Sequence, residues 1–185
     1  MQVSGNFLAP SDFTERFTAS WDKAQKRFLK IERKQAYNQA GDESYDAFVR
    51  GSHEEARRLL RAELLHQRDM YAAARARGLA LVRLRQFEEP LSEYLRDYEM
   101  PSYFVSEELG EEIWFARPNH AADELPDCII FDSDVMFVNT YDGLDRLAGA
   151  VEIRDKEQIA LAAAEAEQLL SHAERLSDFV ASHPL

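Results

Sequence analysis

Leu125-Pro126-Asp127-Cys128-Ile129-Ile130-Phe131-Asp132-Ser133-Asp134-Val135-Met136-Phe137-Val138-Asn139-Thr140-Tyr141-Asp142-Gly143 is the stretch on which the fold turns. It holds two apolar, β-rich runs, Cys128–Phe131 and Val135–Val138, separated by Asp132, Ser133 and Asp134. Asp and Ser are turn formers, so the pattern predicts a β-hairpin near residues 127–140. Neither run alternates with polar residues, so both strands are expected to be covered on both faces. Gly143 permits a turn, and Ala148–Ile153 then returns as a third strand.

The rest of the composition suits such a sheet. The 185 residues are 45% hydrophobic and 11% aromatic, enough to build the core of one globular domain. The net charge of −12, from 34 acidic and 22 basic residues, opposes direct nucleic-acid binding, because phosphate contacts need Lys and Arg. The single cysteine, Cys128, lies in the most apolar run and reads as a buried, inert thiol. No apolar run reaches the roughly 18 residues of a membrane span, and the N-terminus lacks a signal-peptide pattern. A cytoplasmic protein is expected.

Toward the C-terminus, Asp155 is placed to cap a long final helix. Ile159, Ala162, Ala166, Leu169, Leu176 and Val180 make its stripe. The small alanines suit close packing on the sheet or, in a homodimer, on a second copy of the chain.

Toward the N-terminus, residues 1–10 read as a lead-in. A helix starts at Ser11, with Phe13, Phe17 and Trp21 as its core stripe. Arg27–Lys34 is read as a strand, although Phe28, Leu29 and Ile31 also fit a continued helix. After a polar loop and a short helix over 44–50, Ser52-His53-Glu54-Glu55 fits a capping box. The helix it starts runs to Gly78. Its arginines are interleaved with Glu54, Glu55, Glu63 and Asp69, which favours a solvated, ion-paired face. Leu79–Arg85 is a strand. Pro90 opens a helix that Met100-Pro101 must end or kink, and a second helix reaches Leu109. Ile113–Ala116 is a strand, followed by a polar connection over 117–126. The expected architecture is an α/β (or α+β) single domain over 11–185. It has a mixed central sheet of five to six strands, flanking helices and a long C-terminal helix.

Candidate site residues follow from strand alternation. Arg83 and Arg85 share one face of their strand and are placed to clamp a carboxylate or phosphate, or to pair with Glu88 and Glu89 nearby. With Tyr94 and Arg117 they form the candidate ligand- or partner-binding set. Asp127, Asp132, Asp134 and Asp142 are the acidic cluster a hydrolase would need, but Asp132 and Asp134 are explained by the turn. His120 with Asp123 is too small a set for a metal, so no metal, cofactor or catalytic residue is expected.

Several segments carry a resemblance. Arg27–Tyr37, Gly78–Tyr94, Glu111–Arg117 and Leu125–Asp132, then Asn139, Asp142 and Gly143, occur in this order. Together they resemble an uncharacterised actinobacterial family whose genes often lie beside helix-turn-helix transcription regulators. The resemblance implies a regulatory or accessory role with such a regulator as partner. It also supports the strand at Arg27–Lys34. More distantly, the chain resembles half of a phospholipase-D-type domain. That family needs a His-x-Lys motif, and none of the five histidines here is followed two places later by lysine. The expected function is a non-enzymatic regulatory or interaction domain sensing a small anionic ligand. The alternatives are a phosphoester hydrolase or nuclease, and a self-associating structural protein.

Overall fold

The computed structural model describes residues 3–118 and 125–183. In chain order it runs β1 (Asn6–Leu8), α1 (Pro10–Lys23), β2 (Arg27–Glu32), α2 (Glu43–Val49), α3 (His53–His66), α4 (Arg68–Ala76) and β3 (Ala80–Gln86). A π-helical segment (Tyr94–Glu99) then runs into α5 (Met100–Glu108) and β4 (Glu112–Ala116). The rest is β5 (Cys128–Phe131), β6 (Val135–Tyr141), β7 (Leu147–Ile153), α6 (Lys156–Leu170), β8 (Glu174–Arg175) and α7 (Leu176–Ser182).

All the strands join one open mixed sheet in the order β1-β7-β6-β5-β2-β3-β4-β8. β2, β3 and β4 are parallel, and the other neighbours are antiparallel. The α/β class is as expected from the sequence. Among the described residues the sheet has 8 strands, more than the five to six expected. The additional strands are the edge segments β1 and β8, of 3 and 2 residues, too short to show a period.

The hairpin is set by Asp132, which takes a positive φ of 54°. Asp tolerates this region because its short polar side chain bonds locally. Here the carboxylate accepts the backbone N–H groups of Gln25, Lys26 and Arg27 at 3.1, 2.8 and 2.8 Å. The turn is thereby fastened to the junction of α1 and β2.

Both faces of the sheet are covered, as the unbroken apolar runs predict. On one face Phe28, Leu81, Ile129 and Phe131 pack on Phe13 and Trp21 of α1 and Tyr71 of α4. On the other, Leu29, Ile31, Ile130 and Met136 meet Ile159, Ala162 and Ala166 of α6. The alanine stripe is therefore occupied by the chain's own sheet.

Several element boundaries differ from the sequence reading, each for a tertiary reason. The long C-terminal helix is interrupted after Leu170. Ala162 and Ala166 sit on one face of the sheet, whereas Phe179 stacks on Phe115 at 4.0 Å with Tyr103 and Ile113 around it. One straight helix presents a stripe to one face only, so the chain crosses the β4 edge as β8 and resumes as α7. The helix expected from Ser52 to Gly78 breaks at Gln67 for the same reason. α3 packs on α2 and α5, while α4 lowers Tyr71 and Ala74 onto the sheet. Ser52 makes no side-chain cap bond. Pro90 lies in the loop before the helix, and the Ser92 hydroxyl accepts the Leu95 N–H at 3.1 Å. Pro101 has no N–H to give, and the turn before it is π-helical.

Candidate functional site

The parallel register of β2 and β3 sets Lys30 beside Arg83 and Glu32 beside Arg85. Strand alternation puts all four on the face under α1, α3 and α5. Charge buried there must be paired and hydrogen-bonded. Arg83 donates from Nη1 to Glu32 Oε1 at 2.9 Å, and from Nε and Nη2 to Glu111 at 3.1 and 2.9 Å. Lys30 Nζ lies 2.7 Å from Glu32 Oε1. The Tyr103 hydroxyl lies 2.8 Å from Glu32 and 2.6 Å from Glu99, so two carboxylates share its one proton. Tyr94 donates to Glu99 at 3.0 Å and accepts from Gln39.

The electrostatics follow from this packing. Burial opposes the charge on Glu32, but Arg83, Lys30 and Arg85 outweigh it and hold the carboxyl well below the usual carboxylate range. Burial likewise opposes the Arg83 charge, and Glu111 and Glu32 more than offset it.

Arg85 is different. It is 0% exposed, and among the described residues no carboxylate stands within ion-pair distance of it. Nη1 donates to the Tyr37 hydroxyl at 3.3 Å, while Nε and Nη2 have no hydrogen-bond partner. Tyr37 in turn donates to Asp127 at 2.9 Å.

The four candidates from the sequence thus separate. Arg83, Arg85 and Tyr94 belong to one buried polar region above β2 and β3. Neither arginine pairs with Glu88 or Glu89. Arg117 lies elsewhere, in an exposed ion pair with Glu89 at 2.7 Å and over the Phe87 ring. Sequence reading missed Lys30, Glu32, Glu99, Tyr103 and Glu111. The available signal was Lys30 and Glu32 alternating with apolar Leu29 and Ile31 in a strand expected to be covered.

A cavity of about 330 Å³ opens over this network. Phe28, Lys30, Arg83 and Ile129 form its floor. Phe17 and Trp21 make an apolar wall, opposite Tyr98, Glu99, Ser102 and Ser106 on the α5 side. Lys30 spends one donor on Glu32, which leaves two of its three N–H groups for a ligand. The arrangement is a small amphipathic cavity with Lys30 and Arg83 on its floor and Glu99 on its wall. Among the described residues no group of three or more metal-ligating side chains occurs. His120 and Asp123 lie outside the described residues. Cys128 is buried on the opposite face, and burial pushes its thiol upward. No helix of the described residues is long and apolar enough to cross a membrane.

In architecture the chain is similar to proteins of phospholipase-D type. It superposes on Nuc from Salmonella typhimurium, a phospholipase D family member, with a TM-score of 0.51 at 9% identity, covering 94% of this chain and 97% of that one. NucT from Helicobacter pylori gives 0.46 at 10% identity, over 93% and 98% of the two chains. TrmBL2, an archaeal chromatin protein with a novel mode of DNA binding, gives 0.47 at 15% identity over 91% of this chain. The chain spans about half the length of TrmBL2, 52%. No curated protein matches the sequence. By sequence the chain belongs to the family described as domain of unknown function DUF6879, whose model matches residues 15–181.

Proposed function

We propose that this chain is a non-enzymatic regulatory domain that binds a small anionic ligand over Lys30 and works with a helix-turn-helix DNA-binding regulator. One observation carries the ligand: an ammonium with two spare donors at the floor of a 330 Å³ cavity walled by Trp21 and Phe17. Its lining mixes aromatic rings with charged and hydroxyl groups, the combination by which a cleft orients a small molecule. The likeness to Nuc concerns the fold. The His-x-Lys pair of that chemistry is not in the sequence, so the reading is binding, with hydrolysis as the alternative. The regulator enters from the resemblance to an actinobacterial family encoded beside such genes. With a net charge of −12, the regulator and not this domain would contact DNA.

Calorimetric titration tests the ligand. The wild type is expected to bind 3-phenylpropionate, and Lys30→Met to bind it about tenfold more weakly. No heat with this carboxylate or with inorganic phosphate would overturn the reading. Arg83 and Arg85 are buried, so a partner contact falls to exposed Arg117. Tagged chain is expected to recover a helix-turn-helix regulator from native extract, and Arg117→Glu to recover less. Recovery of no regulator would remove that partner.

A further inference from the structure

A second cavity, of about 440 Å³, lies beside the hairpin turn. Three parts of the chain supply its charged lining. α1 contributes Arg16 and Lys23, the turn contributes Asp132 and Asp134, and the junction between β7 and α6 contributes Arg154 and Lys156. The lining therefore carries more cations than carboxylates, on a chain whose net charge is −12. Arg16 and Lys23 are nearly two helical turns apart, so both lean to the same side of α1, roughly 10.5 Å apart along its axis.

These charges are not equally committed. Asp132 is held by the backbone N–H groups of Gln25, Lys26 and Arg27. Lys156 donates to Asp134 at 2.6 Å and to the Ser133 carbonyl at 2.7 Å. Arg154 donates from Nη2 to Glu152 at 2.5 Å, which leaves its other N–H groups for the cavity. Arg16 and Lys23 are exposed, and among the described residues their side chains make no hydrogen bond and no ion pair. The two carboxylates of the lining are thus already satisfied, while the α1 side presents a guanidinium and an ammonium with all their donors free.

We propose that this cavity is an anion site separate from the one over Lys30, and that its ligand carries a diphosphate group. Arg16 and Lys23 bind phosphate oxygens from α1, and Arg154 meets them from the β7 side. A carboxylate brings a single negative charge and would leave the lining cationic. A diphosphate brings more charge and is long enough to engage cations two helical turns apart. A long polyanion suits the site less well, because beyond the cavity it would meet the acidic surface of a chain with net charge −12. Phe131 and Val135, which also line the cavity, are buried. No aromatic face is therefore offered to a base, and the phosphates alone are recognised.

Calorimetry on the full chain with pyrophosphate, ADP and a short DNA duplex tests the site. Pyrophosphate is expected to bind at low salt, and to bind more weakly as salt screens the exposed cations. Arg16→Gln/Lys23→Gln is expected to bind it at least about tenfold more weakly. Both residues are exposed and unbonded, so the double variant keeps its fold. Lys30→Met is expected to bind pyrophosphate as the wild type does, which separates this site from the other cavity. Unchanged binding by the double variant, or loss of binding in Lys30→Met, would overturn the site. ADP binding more than about tenfold more tightly than pyrophosphate would overturn recognition by phosphate alone. A DNA duplex binding more tightly than pyrophosphate would overturn the small ligand in favour of nucleic acid. No heat with any of the three would overturn the proposal as a whole.

Discussion

Arg83 and Glu111 form a bidentate ion pair between β3 and the turn that leads from α5 into β4, at 3.1 Å from Nε and 2.9 Å from Nη2, with Glu111 only 2% exposed. The pair stands just before β4 in sequence on one side and in the middle of β3 on the other. It fixes the face on which the cavity floor is built.

Removing Glu111 leaves the buried Arg83 guanidinium with Glu32 alone and its Nε and Nη2 donors unpaired. Glu111→Ala is expected to lower unfolding free energy by about 3–5 kcal/mol, measured by urea denaturation. The double variant Arg83→Met/Glu111→Leu is expected to recover only part of that loss, because it removes the pair but leaves buried Glu32 with Lys30 and without Arg83. A single variant that loses under about 1 kcal/mol would mean the pair is not desolvated as drawn.

Arg85 is expected to behave oppositely. Its guanidinium has one hydroxyl partner, and two of its nitrogens, Nε and Nη2, have none. Arg85→Met removes the unsatisfied donors and fills similar space, so stability should change by less than about 1 kcal/mol, or rise. A loss as large as that of Glu111→Ala would show that the positive charge itself holds Glu32 and Tyr103 in place.

Glu32 gives the protein a pH dependence of definite sign. Its folded carboxyl titrates below the unfolded value of about 4.3, because Arg83, Lys30 and Arg85 outweigh its burial. Near and below that value the unfolded chain binds the proton first, so the stabilisation is complete above it and is lost as pH falls toward the folded pKa. Urea midpoints measured from about pH 6 down to about pH 3 should therefore fall more steeply for the wild type than for Glu32→Gln. Parallel curves would assign the acid sensitivity to other carboxylates.

Asp132 joins two elements more than a hundred residues apart in sequence. Asp132→Ala removes the acceptor of three backbone N–H groups and puts alanine at φ 54°. A loss of about 2–4 kcal/mol is expected from charge-assisted bonds and left-handed strain together. Asp132→Asn should lose less, since Asn tolerates this φ and keeps a carbonyl acceptor. Thermal melts of the two variants side by side check the order.

Much of the sheet was legible in local sequence. Cys128–Phe131 and Val135–Val138 name the hairpin because each run is too short and too apolar for anything but a covered strand. Arg27–Lys34 was ambiguous, since Phe28, Leu29 and Ile31 satisfy both a helical and a strand period. The breaks at Gln67 and after Leu170 carry no Gly or Pro. They arise because the next apolar residues must reach a different surface.

The sequence by itself determined which side chains share a face: Lys30 with Glu32, and Arg83 with Arg85, because successive Cβ atoms alternate across a strand. It also determined that the covered faces would be apolar enough to bury a charged island. The tertiary structure decided what that island does. Glu32 meets Arg83 across 51 residues and Tyr103 across 71, and Glu111 meets Arg83 across 28. No local pattern encodes such pairings, because they follow from β2 and β3 lying parallel and from α5 crossing above them. The same geometry committed Arg83 to carboxylates, left two nitrogens of Arg85 without a partner, and placed Lys30 on the floor of the cavity.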